Sequence, residues 1–263
     1  MRLALGIEYT GTRFFGWQKQ PDCRTVQSTL ERALERFVTE PVATICAGRT
    51  DTGVHALSQV VHIDVSCSRP MSNWVRGVNT FLPEDVVVRW AKEVDDEFSA
   101  RFSALSRTYE YWIYNDAVRS PVSSELTGWV WRPLDAAKMH RAAQVLLGEH
   151  DFSSFRAADC QAASPVRTIE EISVNRFGKL LRIRIRANAF LQHMVRNIVG
   201  TLVYVGTGRE EESWVLEVLK AQKRAVAAPT FAASGLYLVA VEYPEKYALP
   251  SAAEFPYAAL GLR

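Results

Sequence analysis

Apolar residues along this chain switch between two periods, and the switches mark out its elements. Leu3, Leu5, Ile7 and Tyr9 alternate with Ala4, Gly6 and Glu8, which predicts a strand. Val26, Leu30, Ala33, Leu34 and Phe37 recur at helical spacing behind Thr25, a residue suited to cap. A strand from Pro41 to Ala47, a strand from Val60 to Val65, a helix from Ser72 to Asn79 and a strand from Val86 to Trp90 complete a β-α-β-β-α-β half. The order then repeats with insertions. Tyr109, Tyr111 and Ile113 alternate in a strand, and Asp135 to Leu147 reads as a helix stopped by Gly148. Two strands follow, Ile169 to Val174 and Leu181 to Ala187, then helices from Phe190 to Val205 and Glu211 to Lys220, and a last strand from Leu236 to Val241. Two such halves predict an α+β fold of two ferredoxin-like units, residues 1–104 and 105–243, whose antiparallel sheets join edge to edge. The Pro- and Ala-rich tail, 244–263, is expected to wrap or to be partly mobile.

Composition changes this picture little, and charge changes it more. Hydrophobic residues make up 48% and charged residues 23%, ordinary for a globular protein. The first ten residues carry Glu8 in an alternating pattern, so they read as a strand and not a signal peptide, and no apolar stretch reaches the length of a membrane span. Four cysteines (Cys23, Cys46, Cys67, Cys160) without C-x-x-C spacing read as reduced thiols of a cytoplasmic protein, with no metal-ligand spacing. The net charge is +2, but residues 101–209 hold 15 basic against 9 acidic side chains while each flank is net negative. With 24 Arg to 7 Lys, the balance favours a partner rich in phosphate, since guanidinium pairs with it bidentately and stacks on bases.

One stretch resists reading as an ordinary turn. Cys46-Ala47-Gly48-Arg49-Thr50-Asp51-Thr52-Gly53-Val54-His55-Ala56 sits between two strands, with two glycines bracketing Arg49, two threonines and Asp51. An Asp in such a turn commonly just caps it. An aspartic protease would use Asp-Thr-Gly, but that chemistry needs two carboxylates sharing a proton; this chain has one copy, with Arg49 beside it favouring the ionised form. A protein that only binds structured RNA would have no use for the carboxylate. Three other features stand out. Tyr109, in Arg107-Thr108-Tyr109-Glu110-Tyr111, would by default be a core or cross-strand aromatic. Alternation puts Arg182, Arg184 and Arg186 on one face of a strand, either a solvated face or a sheet face open to RNA, with aromatics from the Tyr109 strand. His193, Arg196, Asn197 and Gly200 form a polar stripe on an apolar helix, which must face a cleft, a partner or solvent. His193 itself reads as a hydrogen-bonded structural residue.

Gly48-Arg49-Thr50-Asp51-x-Gly53-Val54-His55-Ala56 resembles the signature of the tRNA pseudouridine synthase A family. Five further stretches are similar to that family's pattern, in its order: Phe15-Gly16-Trp17-Gln18; Arg107-Thr108-Tyr109-x-Tyr111; Ser164-Pro165-x-Arg167-Thr168-Ile169; Asn188-x-Phe190-Leu191-x-His193-Met194-Val195-Arg196; and Gly235-Leu236. Thr52 departs from it, standing where Ala is common. The resemblance implies two ferredoxin-like halves around a cleft, a homodimer, and an isomerase that turns uridine into pseudouridine at positions 38–40 of the tRNA anticodon stem-loop. It implies Asp51 as catalytic carboxylate, Arg196 pairing with it to hold it ionised, and Tyr109 under the uracil, where the ring stacks and the hydroxyl moves a proton. Arg49, Leu236, Arg24 and the three arginines of the strand are expected to bind the substrate. Breaking N1–C1′, turning the base and rejoining it through C5 needs neither redox nor energy input, so no cofactor is implied. An ionised Asp suits attack at the ribose, addition to uracil C6, or removal of the C2′ proton.

Overall fold

In the computed structural model residues 1–250 are described; residues 251–263, the larger part of the tail expected to wrap or move, lie outside the described residues. Two compact units are present. Met1–Ser106 with residues 237–250 forms the first, and Arg107–Leu236 lies in the second. The last strand was expected in the second half; from Tyr237 it groups instead with the first.

The first unit runs β1 (Arg2–Tyr9), α1 (Val26–Val38), β2 (Ile45–Cys46), β3 (His55–Asp64), α2 (Met71–Asn79) and β4 (Val86–Val94), the order expected for it. Its strands are ordered β4-β1-β3, antiparallel throughout. β2 pairs with the far end of β3, opposite Val61 and His62, and Tyr237 and Leu238 pair in parallel with His55 and Ala56. β3 is thus flanked on both sides and buried on nearly every residue, which is why it begins five residues before its alternation does. Pro41 to Thr44, expected as strand, makes no ladder. Thr25 caps α1 by accepting from the Ser28 amide at 3.2 Å.

One sheet face carries Ala4, Val60, Phe98, Ala100 and Tyr247, with Trp90, Val241, Tyr243 and Leu249 packed against them. This cluster binds the segment after Tyr237 to the first unit. The alternate residues Leu3, Leu5 and Ile7 are fully buried on the other face, the one left to α1 and α2.

The second unit contains β5 (Ser106–Asn115), β6 (Gly128–Val130), α3 (Ala136–Ala143), β7 (Gly148–Asp151), β8 (Val166–Phe177), β9 (Leu180–Ala187), α4 (Met194–Gly206) and α5 (Trp214–Ala221); β10 (Leu236–Glu242) follows. Its strands are ordered β5-β9-β8-β7, with β6 parallel to β5. β6 and β7 are too short to show a period, and the sequence reading missed both. Asp135 caps α3 through the Lys138 amide at 2.9 Å, and Gly148 opens β7 as well as ending the turn before it. α4 starts at Met194 and not at Phe190, because His193 adopts a left-handed conformation (φ 62°) that no helix continues through. No helix among the described residues is long and apolar enough to cross a membrane.

Inside the first unit, His62 is 4% exposed and its Nδ1 accepts the Ala100 amide at 3.0 Å. Burial, and then the charge of Arg2, hold its pKa below the ordinary value. The folded protein therefore keeps His62 neutral while the unfolded chain takes up a proton near the usual histidine value of about 6.5. Stability from this group is complete above that value and is lost as pH falls below it. Thermal unfolding followed from about pH 7.5 to about 5.5 is expected to show a falling Tm, with a shallower fall in His62→Gln.

Candidate active site

The loop from Ala47 to Val54 has almost no ladder of its own, so its polar groups must be satisfied by surrounding segments. Gln59, fully buried on β3, clamps Gly48 from both sides: its Nε2 donates to the Gly48 carbonyl at 2.6 Å and its Oε1 accepts the Gly48 amide at 3.4 Å. The Trp17 amide donates to the Thr50 carbonyl at 2.9 Å, and the Tyr9 hydroxyl shares a buried 2.8 Å hydrogen bond with Thr50 Oγ1. The Gly11 amide donates to His55 Nδ1 at 3.1 Å, which puts the proton of a neutral ring on Nε2. His55 stacks on Tyr237 at 4.6 Å, and burial pushes the Tyr237 phenol above its ordinary value.

Within this frame Asp51, Thr52, Gly53 and Val54 form a β-turn closed by the Val54 amide on the Asp51 carbonyl at 3.1 Å. Gly53 holds the third position at φ 79°, which a side chain would strain. Gly11 is needed for space, since a Cβ there would collide with the Val54 backbone. Asp51 is half-buried while Thr50 before it is buried and Arg49 is exposed. Burial pushes the neighbouring Cys46 thiol up to about 12, so it is a packed thiol and not a nucleophile.

The other expected residues fall as follows. Arg24 makes a bidentate pair with Asp85 (2.8 and 2.9 Å) and lies over the Phe14 ring at 4.2 Å, fastening the loop after β1. Tyr109 is 7% exposed, opposite Ile185, and meets Phe190 edge-on at 5.0 Å. Leu236 is buried, with its amide on the Ala233 carbonyl at 2.9 Å. Arg196 donates through Nε to the Phe231 carbonyl at 2.8 Å.

Two expectations need correcting. The polar stripe on α4 was assigned to a cleft, a partner or solvent, yet much of it is covered by the chain's own segment 224–231. Asn197 Oδ1 accepts from Arg224 and Thr230, Gly200 lies against the Pro229 carbonyl, and Arg196 holds Phe231. Likewise Tyr109 and Tyr111 do not share the arginines' face, whereas Trp112 of the same strand does, its ring 5.9 Å from the Arg182 guanidinium. Arg182, Arg184 and Arg186 stand opposite Trp112, Glu110 and Thr108, whereas Tyr109 and Tyr111 belong to the face of Ile185 and Ile183.

Each arginine of that face also meets a carboxylate. Glu110, 1% exposed, accepts from Arg184 at 2.9 Å, lies 3.6 Å from Arg182 and takes the Trp112 indole N–H at 3.2 Å. Arg184 reaches Glu171 at 3.3 Å and Arg186 reaches Glu170 at 3.1 Å. Sequence reading missed Gln59, Tyr9 and Glu110. Glu110 was visible as an acid one strand from the arginines, but only the register pairs them.

A model described as tRNA pseudouridine synthase matches residues 6–103 and 142–244; Asp51 and Arg196 lie within the matched stretches and Tyr109 between them. Over 253 residues the chain is 54% identical to a tRNA pseudouridine synthase A of Herminiimonas arsenicoxydans, covering 95% of this chain and 92% of the relative. It is 52% identical over 249 residues to the protein of that name from Escherichia coli O1:K1 / APEC, with 95% and 92% covered.

The clamp on Gly48 leads to a prediction. Gln59→Leu keeps the bulk of the side chain but leaves two backbone groups without partners, at a cost of about 1–3 kcal/mol each. Calorimetric unfolding is expected to show a lower Tm, and proteolysis is expected to cut first within residues 47–54. An unchanged Tm and cleavage pattern would show that the clamp does not hold the loop.

Proposed function

The chain belongs to the tRNA pseudouridine synthase family, whose members are isomerases, and from that premise we propose that it converts uridine to pseudouridine in the tRNA anticodon stem-loop, at positions 38–40, with Asp51 as the catalytic carboxylate. The observation that carries the assignment is the Asp51 turn. The residues flanking it, Gly48, Thr50 and His55, are tied down by Tyr9, Gly11, Trp17 and Gln59, from three separate stretches of the chain, and Asp51 itself is only half-buried. Preorganisation of this kind is what a single carboxylate needs to act on a base taken out of its stack.

The net reaction exchanges the N1–C1′ bond for a C5–C1′ bond, and the C5 proton leaves as N1 regains one. An ionised carboxylate serves attack at C1′, addition to C6, or removal of the C2′ proton. Tyr109 and Arg196 act in the roles the resemblance gives them, and Arg49, exposed in the same loop as Asp51, meets the substrate backbone. Each unit is read as a ferredoxin-like half, supported in the first by the β4-β1-β3 order with β2 on the outer edge of β3. The protein is proposed to work in the cytoplasm as a homodimer without a cofactor.

Asp51→Asn is expected to bind tRNA almost normally while pseudouridine formation drops below detection; Tyr109→Phe retains binding and loses much of its turnover. The assay is pseudouridine content of tRNA after incubation. Near wild-type turnover by the Asn variant, with deamidation excluded, would remove Asp51 from the mechanism.

The carboxylate partners of the β9 arginines divide their roles. Arg186 is the most exposed and Arg182 the least, at 36% and 20%. Arg186→Gln is expected to lower the salt slope of tRNA binding by roughly one unit. Arg182→Gln is expected to lower Tm and leave that slope unchanged. Equal slopes in both variants and wild type would make the whole ladder structural.

A further inference from the structure

Away from the Asp51 turn, the second unit has a cavity of about 610 Å³ between the end of α4, the start of α5 and the segment 224–229. Its chemistry is distinctive. Tyr204 and Trp214 stack with rings 5.8 Å apart and 12° from parallel, and the Arg209 guanidinium lies over Tyr204 at 4.1 Å. Across the segment, Arg224 is held through Nη2 by Asn197 Oδ1 and Thr230 Oγ1, both at 3.1 Å, and Asn197 itself is fully buried. The partners of Arg224 are neutral oxygens, the Ala227 carbonyl, Asn197 Oδ1 and Thr230 Oγ1, and burial holds its pKa below the ordinary value. A half-buried guanidinium fixed in place by neutral groups is an anion site, and none of its hydrogen-bond partners among the described residues carries a counter-charge. Glu210 is the one carboxylate among the lining residues.

We propose that this cavity binds a nucleotide unit, with phosphate on Arg224 and Arg209, the base against the Tyr204–Trp214 pair, and ribose hydroxyls donating to Glu210. Arginine and a planar aromatic wall together select an anion joined to a flat ring, which neither a free phosphate nor an apolar metabolite satisfies. The nucleotide is assigned to the substrate tRNA, outside the isomerised uridine; that source rests on the tRNA reading above, whereas nucleotide binding itself does not. The segment that forms one wall also carries Phe231, which Arg196 holds. Contacts made in the cavity thus bear on the chain that supports an expected catalytic residue.

AMP is the probe for the pocket, titrated calorimetrically up to millimolar concentration into wild type, Arg209→Gln and Trp214→Leu, with the Tm of each variant checked. Arg209 is exposed, so its variant tests the site with the fold undisturbed. Wild type is expected to bind AMP and each variant to bind it about tenfold more weakly, the range expected for losing one stacking or phosphate contact. With tRNA, both variants are expected to show KM raised about threefold or more at unchanged kcat. Weakened AMP binding with unchanged tRNA KM would keep the nucleotide pocket and assign it to a free nucleotide. No AMP binding by wild type, or wild-type affinity in both variants, would overturn the proposal. Failure of wild type to form pseudouridine would count against the tRNA reading alone, because the AMP titration judges the pocket without it.

Discussion

A backbone that leaves the sheet to present one carboxylate must still satisfy its own amides and carbonyls, and the first unit is built around meeting that need. Gln59 takes both polar groups of Gly48, Trp17 takes the Thr50 carbonyl, and Tyr9 takes the Thr50 hydroxyl. Each comes from an element that packing has already fixed: Tyr9 ends β1, Gln59 lies in the middle of β3, and Trp17 is fixed by the loop that Arg24 and Asp85 fasten. Losing any of these hydrogen bonds would leave a polar group of the loop without its partner, which costs more than the bond contributed where that group is buried. The turn is therefore held by groups that do no chemistry, while its Asp is left partly accessible.

Charge in the second unit follows a related rule. A strand with three arginines looks like a surface for phosphate, yet β9 faces Glu110 on one side and Glu170 and Glu171 on the other. The buried Glu110 would be costly alone, and the arginines supply its counter-charge. Much of that strip's positive charge is used inside the fold. Arg224 is the contrary case: among the described residues its hydrogen bonds go to neutral oxygens and to no carboxylate. Net charge per segment cannot separate these two situations, because it counts residues and not pairings.

The sequence by itself determined the element order of the first unit, the cap on α1, the alternating core of β1 and β9, and the glycine-bracketed turn with its single Asp. Those features are local: periodicity, capping and φ-positive turns are written within a dozen residues. The family resemblance was legible for the same reason, since its motifs are short and ordered. Tertiary structure decided what distance along the chain conceals. The αL conformation of His193 set where α4 begins, and the Phe98–Tyr247 cluster drew the last strand to the first unit. Strand register placed Tyr109 away from the arginines and Glu110 among them. A one-residue change in register would reverse both placements, and nothing in the local pattern of β5, buried on both faces, fixes that register.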